Sequence, residues 1–245
     1  MDKKRYLVVI GGATATGKTA TAISLARYFQ PEIISADRRQ FYREMSIGTA
    51  KPSTEELATT AHHFVDTLSI SQDYSVGQYE KDALNVISKL HETKQVVVMA
   101  GGSGLFINAV CSGLSEFPNV PQELKEELSK YYEKKGITVL QEELRLLDPV
   151  YYERVDTYNP HRLIRALSIC KATGKPFSDF QSKEKVVRPF TTIYVLLEMD
   201  RKLLYERIEK RVDEMMEKGL LNEVEGLLPY KKLNAMQTVG YLELF

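Results

Sequence analysis

Eight consecutive residues near the start of the chain have the spacing of a phosphate-binding loop. They fit the pattern G-x-x-x-x-G-K-[ST] and are Gly12, Ala13, Thr14, Ala15, Thr16, Gly17, Lys18 and Thr19. The glycines let the backbone curl so that several N–H groups face one anion, and the helix that follows adds its positive N-terminal end. Lys18 supplies a charge to phosphate oxygens, and the Thr19 hydroxyl is a suitable ligand for Mg²⁺. The motif therefore predicts a phosphate site without specifying which phosphate compound it binds.

A carboxylate follows the next apolar run along the chain. Residues 32–36 are typical of a second buried strand, and Asp37 comes directly after them. In an open parallel sheet this position points into the crevice beside the phosphate loop. Three roles are compatible with it: a cap for the next segment, a magnesium ligand through water, or a general base. The following residues form a basic and aromatic cluster that suits either a nucleotide or a solvated turn: Arg38, Arg39, Gln40 and Tyr42.

Strands and helices alternate around these residues. Short apolar runs predict buried strands at 6–10, 32–36, 95–100 and 192–197. Apolar residues at helical spacing predict helices at 19–29, 75–93, 161–172 and 201–218. The order predicts an α/β fold, a P-loop NTPase-like parallel sheet with helices on both faces.

The pattern changes after Gly113. Pro118 and Pro121 mark a break, and residues 122–147 predict two amphipathic helices interrupted at Gly136, with no strand pattern among them. We therefore predict a core domain formed by residues 1–114 and 159–245, with a small helical insertion domain at residues 115–158.

Composition sets few further limits. The chain has 33 Lys and Arg against 33 Asp and Glu, which argues against a wholly basic surface but allows a local basic patch. Cys111 and Cys170 lack metal-like spacing, and we expect reduced thiols. His62 and His63 lack partners at ligand spacing, so a structural role is favoured over a metal site. No apolar stretch approaches a membrane span, and we expect a cytoplasmic protein with no membrane partner.

Several blocks of sequence are together more specific than the phosphate loop. They are residues 12–19, 34–42, 47–52, 62–66, 74–76, 101–105, 161–167, 174–176, 207–212, 219–220 and 237–241. In these blocks the chain resembles the tRNA dimethylallyltransferases, the isopentenyl transferases that act on adenosine beside the anticodon. The blocks occur in order along nearly the full length.

The resemblance implies a reaction and assigns residues to it. The reaction moves a dimethylallyl group from dimethylallyl diphosphate to the exocyclic N6 amine of the adenosine adjacent to the anticodon, in tRNAs that read codons beginning with U. The phosphate loop would hold the donor diphosphate with Mg²⁺, and Asp37 would act as general base on the amine. Lys18 and an arginine, Arg207 or Arg211, would stabilise the leaving diphosphate, and Ser103 would help to hold donor and adenine.

The same resemblance implies contacts with the tRNA anticodon stem-loop. The implied residues are Asp37, Arg38, Arg39, Gln40, Ser103, His161, Arg162, Leu163, Ile164 and Arg165. Arg162 and Arg165 lie about one helical turn apart and so share a face. The helical insertion resembles a swivelling domain that closes over the anticodon stem, and we expect a monomer.

The chain departs from the family pattern at a few positions. Arg38 stands where a small hydroxyl residue is usual, Ser103 replaces threonine, and His161 replaces glutamine. The family pattern also continues past position 245 with a basic helix that contacts tRNA. Three other functions stay open: a prenyltransferase for free adenine nucleotides, a P-loop nucleotide or small-molecule kinase, and a non-catalytic RNA-binding paralogue.

Overall fold

One parallel sheet forms the centre of the fold. The computed structural model describes residues 4–30, 32–115, 117–181 and 186–245. Within them the sheet has the order β3-β2-β4-β1-β5. Its strands are β1 (Tyr6–Gly12), β2 (Ile33–Ser35), β3 (His62–His63), β4 (Val96–Ala100) and β5 (Thr191–Leu197). Every pair of neighbouring strands is parallel.

Ten α-helices occur in the described ranges. They are α1 (Lys18–Phe29), α2 (Thr54–Thr59), α3 (Val76–Thr93), α4 (Gly104–Ser112), α5 (Gln122–Lys135), α6 (Ile137–Leu147), α7 (Pro149–Tyr152), α8 (Pro160–Thr173), α9 (Arg201–Glu217) and α10 (Leu220–Leu227). The predicted strands and helices are confirmed to within about two residues at each end. Five elements were not predicted from the sequence, and most of them are short: β3, α2, α4, α7 and α10. Over the same described ranges, no helix combines the length and apolar character that crossing a membrane requires.

Successive residues of the central strands pack against opposite layers of helices. Val9 belongs to a buried cluster with residues of α3 and α4, whereas the next residue, Ile10, belongs to a cluster with residues of α1. Met99 and Val98 of β4 divide in the same way. This alternation follows from the period of two along a strand. It confirms the predicted sheet with helices on both faces.

The chain forms two compact units, and the second is larger than predicted. Unit 1 contains Met1–Gly113 and Val187–Phe245, and unit 2 contains Leu114–Val186. The start of unit 2 is close to the predicted position 115, but its end corrects the predicted position 158. Helix α8 therefore belongs to the helical unit and not to the α/β core.

The packing of α8 explains this correction. Leu163 and Leu167 of α8 are fully buried in one cluster with Leu140 and Leu144 of α6 and with Leu128 of α5. The amphipathic faces of α5 and α6 need an apolar partner, and α8 supplies it. A sequence pattern shows that each of the three helices has an apolar face, but it does not show which helices share a core.

The carboxyl ends of the strands meet at one edge of the sheet. Ala100 of β4 pairs in register with both Ile10 of β1 and Ser35 of β2. The chain then passes so close to the end of β2 that a Cβ added at Gly101 would lie 2.3 Å from the carbonyl oxygen of Ala36. Only glycine fits at such an approach. This edge carries the loops after β1, β2 and β4, at which Lys18, Asp37 and Ser103 lie.

We predict that Gly101→Ala destabilises the protein. The added methyl group would overlap the backbone at Ala36, and overpacking of this kind costs about 1–3 kcal/mol. Gly226→Ala is the matched control, because a Cβ at this position in α10 would meet no atom within 4 Å. Thermal unfolding of the two variants should show a lower Tm only for Gly101→Ala. Equal Tm values would show that the close approach does not constrain the fold.

Candidate active site

The phosphate loop has the backbone geometry that anion binding requires. Gly17, at the N-terminus of α1, has φ of 96°. Gly12 has φ of 150°, and a Cβ added there would lie 2.8 Å from the carbonyl oxygen of Leu197. The Thr16 hydroxyl donates to the carbonyl of Ala13 at 2.8 Å and so closes the loop. No described side chain caps α1, so the N–H groups of its first turn remain available to an anion.

Lys18 lies over the same loop. Its Nζ donates to the carbonyls of Ala13 at 2.7 Å and Gly12 at 3.1 Å. Burial lowers the pKa of the Lys18 ammonium, the charge of Asp37 raises this pKa in part, and the charge of Arg211 lowers it. The ammonium is therefore held among opposing charges, and a bound anion would favour its protonated form.

Asp37 lines the cleft beside the loop and also caps the turn that follows it. Its Oδ1 accepts the backbone N–H of Arg39 at 3.0 Å, which is the capping role considered from the sequence. None of the described residues donates a hydrogen bond to its Oδ2. An ionised carboxylate has acceptor sites on both oxygens, so one oxygen can hold the turn while the other faces a ligand.

Ser103 joins the ends of β4 and β2. Its backbone N–H donates to the carbonyl of Ala36 at 3.0 Å, and its Oγ accepts the backbone N–H of Arg38 at 3.1 Å. The hydroxyl hydrogen is left for another acceptor. Ser103 is not one of the described residues that line the cleft beside the phosphate loop. Instead, it fixes the loop that carries Asp37.

Helix α9 supplies the cationic wall of the cleft. Arg207, Lys210 and Arg211 line it from successive turns, together with Glu214. Burial lowers the pKa of the Arg211 guanidinium, while the charge of Asp37 raises it. Lys210 was not predicted as a site residue, although its spacing from Arg207 and Glu214 places all three on one helical face.

The cleft so formed has a volume of about 530 Å³. Residues of the phosphate loop, the cations of α9, Asp37 and Gln40 all line it. Glu56, at the start of α2, also lines it and was not predicted. The arrangement can hold an anionic group on the loop with a carboxylate in the same space.

The residues after Asp37 have partners within the protein. The Arg39 guanidinium donates to the carbonyls of Ala235 at 2.6 Å, Gln237 at 2.5 Å and Asn234 at 3.3 Å. Arg38 donates through Nη2 to the side chain of Asn234 at 3.0 Å. These bonds attach the loop to the helical turn at residues 234–236. The expected contacts of Arg38 and Arg39 with tRNA stay a prediction, and the structure adds a structural role that sequence did not indicate.

The remaining predicted tRNA residues lie on the first turns of α8 in unit 2. His161 and Arg165 line a cavity of about 600 Å³ with Ile164, and the Arg165 guanidinium lies 5.1 Å from the ring centroid of Phe117. Arg162 lies on the same helix, with its backbone N–H bonded to the capping side chain of Asn159. The Leu163 side chain, in contrast, is fully buried, so it packs in the core and cannot contact a ligand.

The paired histidines have structural partners. His63 Nε2 lies 2.7 Å from a carboxylate oxygen of Glu32, and His62 Nδ1 lies 2.9 Å from the carbonyl of Thr60. The residues that the structure describes contain no group of three or more His, Cys, Asp or Glu side chains suited to a metal ion. The structural role favoured from the sequence stays a prediction.

Comparison with known sequences identifies the family. The sequence profile of the IPP transferases matches residues 40–245. The chain belongs to the IPP transferase family. The family membership inferred from the sequence blocks is therefore confirmed.

Relatives in this family match over almost the whole chain. A tRNA dimethylallyltransferase of Christiangramia forsetii is 52% identical over 240 residues, covering 98% of this chain and 80% of that protein. A tRNA dimethylallyltransferase of Flavobacterium psychrophilum is 46% identical over 246 residues, with the same coverage.

Solved structures of IPP transferases share the fold. The full-length tRNA isopentenylpyrophosphate transferase of Bacillus halodurans is 34% identical with a TM-score of 0.68, covering 98% of this chain and 76% of that chain. A eukaryotic dimethylallyltransferase described as acting on tRNA is 25% identical with a TM-score of 0.80, covering 98% and 62%. The predicted fold class is confirmed by these neighbours.

We predict that inorganic pyrophosphate binds the phosphate loop and that Lys18→Ala weakens this binding. A charge-assisted hydrogen bond contributes about 1.5–3 kcal/mol, so the affinity should fall roughly 10- to 100-fold. Isothermal titration calorimetry measures this change, and Lys171→Ala in unit 2 serves as a lysine control. Unchanged affinity in Lys18→Ala would exclude the loop as the binding site.

The pH dependence of the same binding is a separate prediction. Because the pKa of Lys18 is lowered, the ammonium loses its proton at a lower pH than an ordinary lysine does. Pyrophosphate affinity should therefore decrease as the pH rises through this lowered pKa, and the decrease should be absent in Lys18→Ala. Titrations between neutral and alkaline pH test both statements.

Proposed function

We propose that this chain is a tRNA dimethylallyltransferase. It moves a dimethylallyl group from dimethylallyl diphosphate to the N6 amine of the adenosine adjacent to the anticodon, in tRNAs that read codons beginning with U. The observation that carries the proposal is that the phosphate loop and Asp37 line one cleft in a chain of the IPP transferase family. A phosphate loop alone would fit a kinase equally well.

Asp37 acts on the amine in this mechanism. The lone pair of the adenine amine is delocalised into the ring, so the amine is a weak nucleophile and must be oriented. Asp37 accepts a hydrogen bond from it and takes its proton as the nitrogen–carbon bond forms. The hydrogen bond from the Arg39 backbone fixes the carboxylate while Oδ2 stays open, which supports this assignment.

The phosphate loop and α9 act on the leaving group. The carbon–oxygen bond to diphosphate breaks as the new bond to nitrogen forms, and negative charge grows on the leaving oxygens. Lys18, Arg211 and the N–H groups at the start of α1 stabilise this charge. Arg211 is favoured over Arg207 as the closer partner, because its charge affects the pKa of Lys18.

The residues of this cleft are suited to bind Mg²⁺ together with the diphosphate. Mg²⁺ binds proteins through one or two oxygen ligands and completes its shell with water and substrate phosphates. Thr19 lines the cleft, and its hydroxyl has no hydrogen-bond partner among the described residues, so it is available as such a ligand. When bound, Mg²⁺ would neutralise charge on the diphosphate oxygens.

The first turns of α8 are proposed to contact the anticodon stem-loop. One end of this helix carries an imidazole and two guanidinium groups, those of His161, Arg162 and Arg165. The Arg165 guanidinium lies over the ring of Phe117. Such groups suit phosphates and unstacked bases of a single-stranded loop. The target base must leave its stack, at a cost of a few kcal/mol that these contacts offset.

The cytoplasmic location expected from the sequence is part of the proposal. Cys111 and Cys170 are both free thiols, which is typical of proteins in a reducing compartment.

The decisive test is transfer to RNA. Purified protein incubated with dimethylallyl diphosphate, Mg²⁺ and an anticodon stem-loop should yield dimethylallyl adenosine, detected by mass spectrometry of the nucleosides. Asp37→Asn should lower the rate roughly 10²- to 10⁴-fold, the range for a lost general base, while pyrophosphate affinity stays near that of wild type. Transfer at the wild-type rate by folded Asp37→Asn would remove the proposed base.

Other acceptors in the same assay distinguish the alternatives. Transfer to AMP without transfer to RNA would assign a free-nucleotide prenyltransferase. ATP consumption without use of the prenyl donor would assign a kinase, and RNA binding without turnover would assign a non-catalytic paralogue.

Charge reversal on α8 tests the RNA contact. Arg162→Glu should weaken binding of the stem-loop and lower the slope of log affinity against log salt by about 1, as expected for a lost phosphate contact. Arg145→Glu makes the same charge change on α6 of the same unit and should have a smaller effect. Equal effects would show that only the net charge of the unit matters.

A further inference from the structure

Glu223 of α10 receives an unusual set of hydrogen bonds. Its carboxylate accepts the backbone N–H groups of three consecutive residues, Ser46 at 3.0 Å, Ile47 at 2.9 Å and Gly48 at 3.1 Å. It also accepts the Tyr241 hydroxyl at 2.6 Å. A carboxylate with several backbone donors is strongly held, and removing it would leave three N–H groups without their acceptor.

The turn that Glu223 holds leads directly to the cleft. Residues 46–48 continue into Thr49 and Ala50, and Ala50 lines the cleft. The Gln40 amide donates to the carbonyls of Ala50 at 3.2 Å and Thr49 at 3.4 Å. The backbone N–H of Gln40 in turn donates to the carbonyl of Asp37 at 3.1 Å. A continuous series of bonds therefore runs from Glu223 to Asp37.

Packing keeps this turn in one position. A Cβ added at Gly48 would lie 2.6 Å from the ring of Tyr241, so the turn lies flat against this ring. Tyr241 is fully buried in a cluster with Tyr42, Met45 and Val224. Burial and the bond to Glu223 raise the pKa of the Tyr241 hydroxyl, which stays a hydrogen-bond donor at neutral pH.

The phosphate loop is separate from this series. In the part of the chain that the structure describes, no hydrogen bond joins residues 46–50 to residues 12–19. A change at Glu223 should therefore affect the loop that carries Asp37 and leave the phosphate loop in place.

We propose that Glu223 is a positioning residue for the acceptor side of the reaction. It fixes the turn at residues 46–50 and, through Gln40, the loop that carries Asp37. This inference rests on the proposed function, since it concerns how the acceptor base is presented to Asp37. It predicts that loss of the carboxylate changes use of the RNA acceptor and not binding of the diphosphate.

Glu223→Gln is the sharpest variant, because it keeps the size of the side chain and turns one acceptor oxygen into a donor facing N–H groups. In the full chain, kcat/KM for the stem-loop should fall roughly 10- to 100-fold, corresponding to one or two lost hydrogen bonds to a charged group. Pyrophosphate affinity should stay within about twofold of wild type. Glu223→Asp, which keeps the charge, should recover part of the activity.

Glu44→Gln is the matched control. Glu44 also accepts a loop N–H, that of Ile70 at 3.1 Å, and a hydroxyl, that of Ser69 at 2.6 Å, but these partners do not lead to the cleft. This variant should lose similar stability and keep its transfer rate. Equal loss of transfer in the two variants, or an equal loss of pyrophosphate binding and transfer in Glu223→Gln, would reduce Glu223 to a stabilising residue and overturn the proposal.

Hydrogen–deuterium exchange separates this inference from the proposed function. In Glu223→Gln, amides of residues 37–42 should exchange faster together with those of residues 46–50, while those of residues 21–29 stay protected. Faster exchange at residues 46–48 alone would break the connection to Asp37 and refute the inference, whatever the enzyme transfers. If wild-type protein transfers nothing to RNA but this exchange pattern appears, the proposed function fails while the connection stands.

Discussion

The parallel register at the carboxyl edge of the sheet is the constraint on which the site depends. Because Ala100 pairs with both Ile10 and Ser35, the loops after three strands must emerge side by side. Gly101 then brings the end of β4 against Ala36. The phosphate loop and Asp37 are separated along the chain but share one cleft for this reason, and the helix after β5 adds its cations to the same space.

Opposite charges in this cleft are held by different parts of the fold. Lys18 and Arg211 are both partly desolvated, so the pKa of each is lowered, and the charge of Asp37 offsets part of that change in both. A diphosphate would add negative charge where cations already lie close together. The lysine and arginine of the cleft would therefore be stabilised in their charged forms by a bound anion as well as by the Asp37 carboxylate.

The sequence predicted those features that depend on short patterns. The phosphate loop, Asp37 at a strand end, and the helices of residues 122–147 are each specified by spacing within a few residues. The attachment of α8 to unit 2, the bonds of Arg39 and the role of Glu223 depend on residues far away in the chain. The sequence pattern of one segment does not specify such contacts, because an apolar helix face or a buried cation is compatible with several partners elsewhere in the chain.

Arg38 and Arg39 show why a family motif does not by itself fix the role of each residue. The Arg39 guanidinium donates to three backbone carbonyls, and an RNA phosphate would have to displace acceptors that end the turn at residues 234–236. Those carbonyls would then lose a charged donor, at a cost of about 1–3 kcal/mol each. Among the residues that the structure describes, the Arg38 side chain bonds only to Asn234, so its other N–H groups can meet a phosphate without such a loss. Of the two arginines beside Asp37, Arg39 thus supports the loop, and the expected contact of Arg38 with RNA stays a prediction.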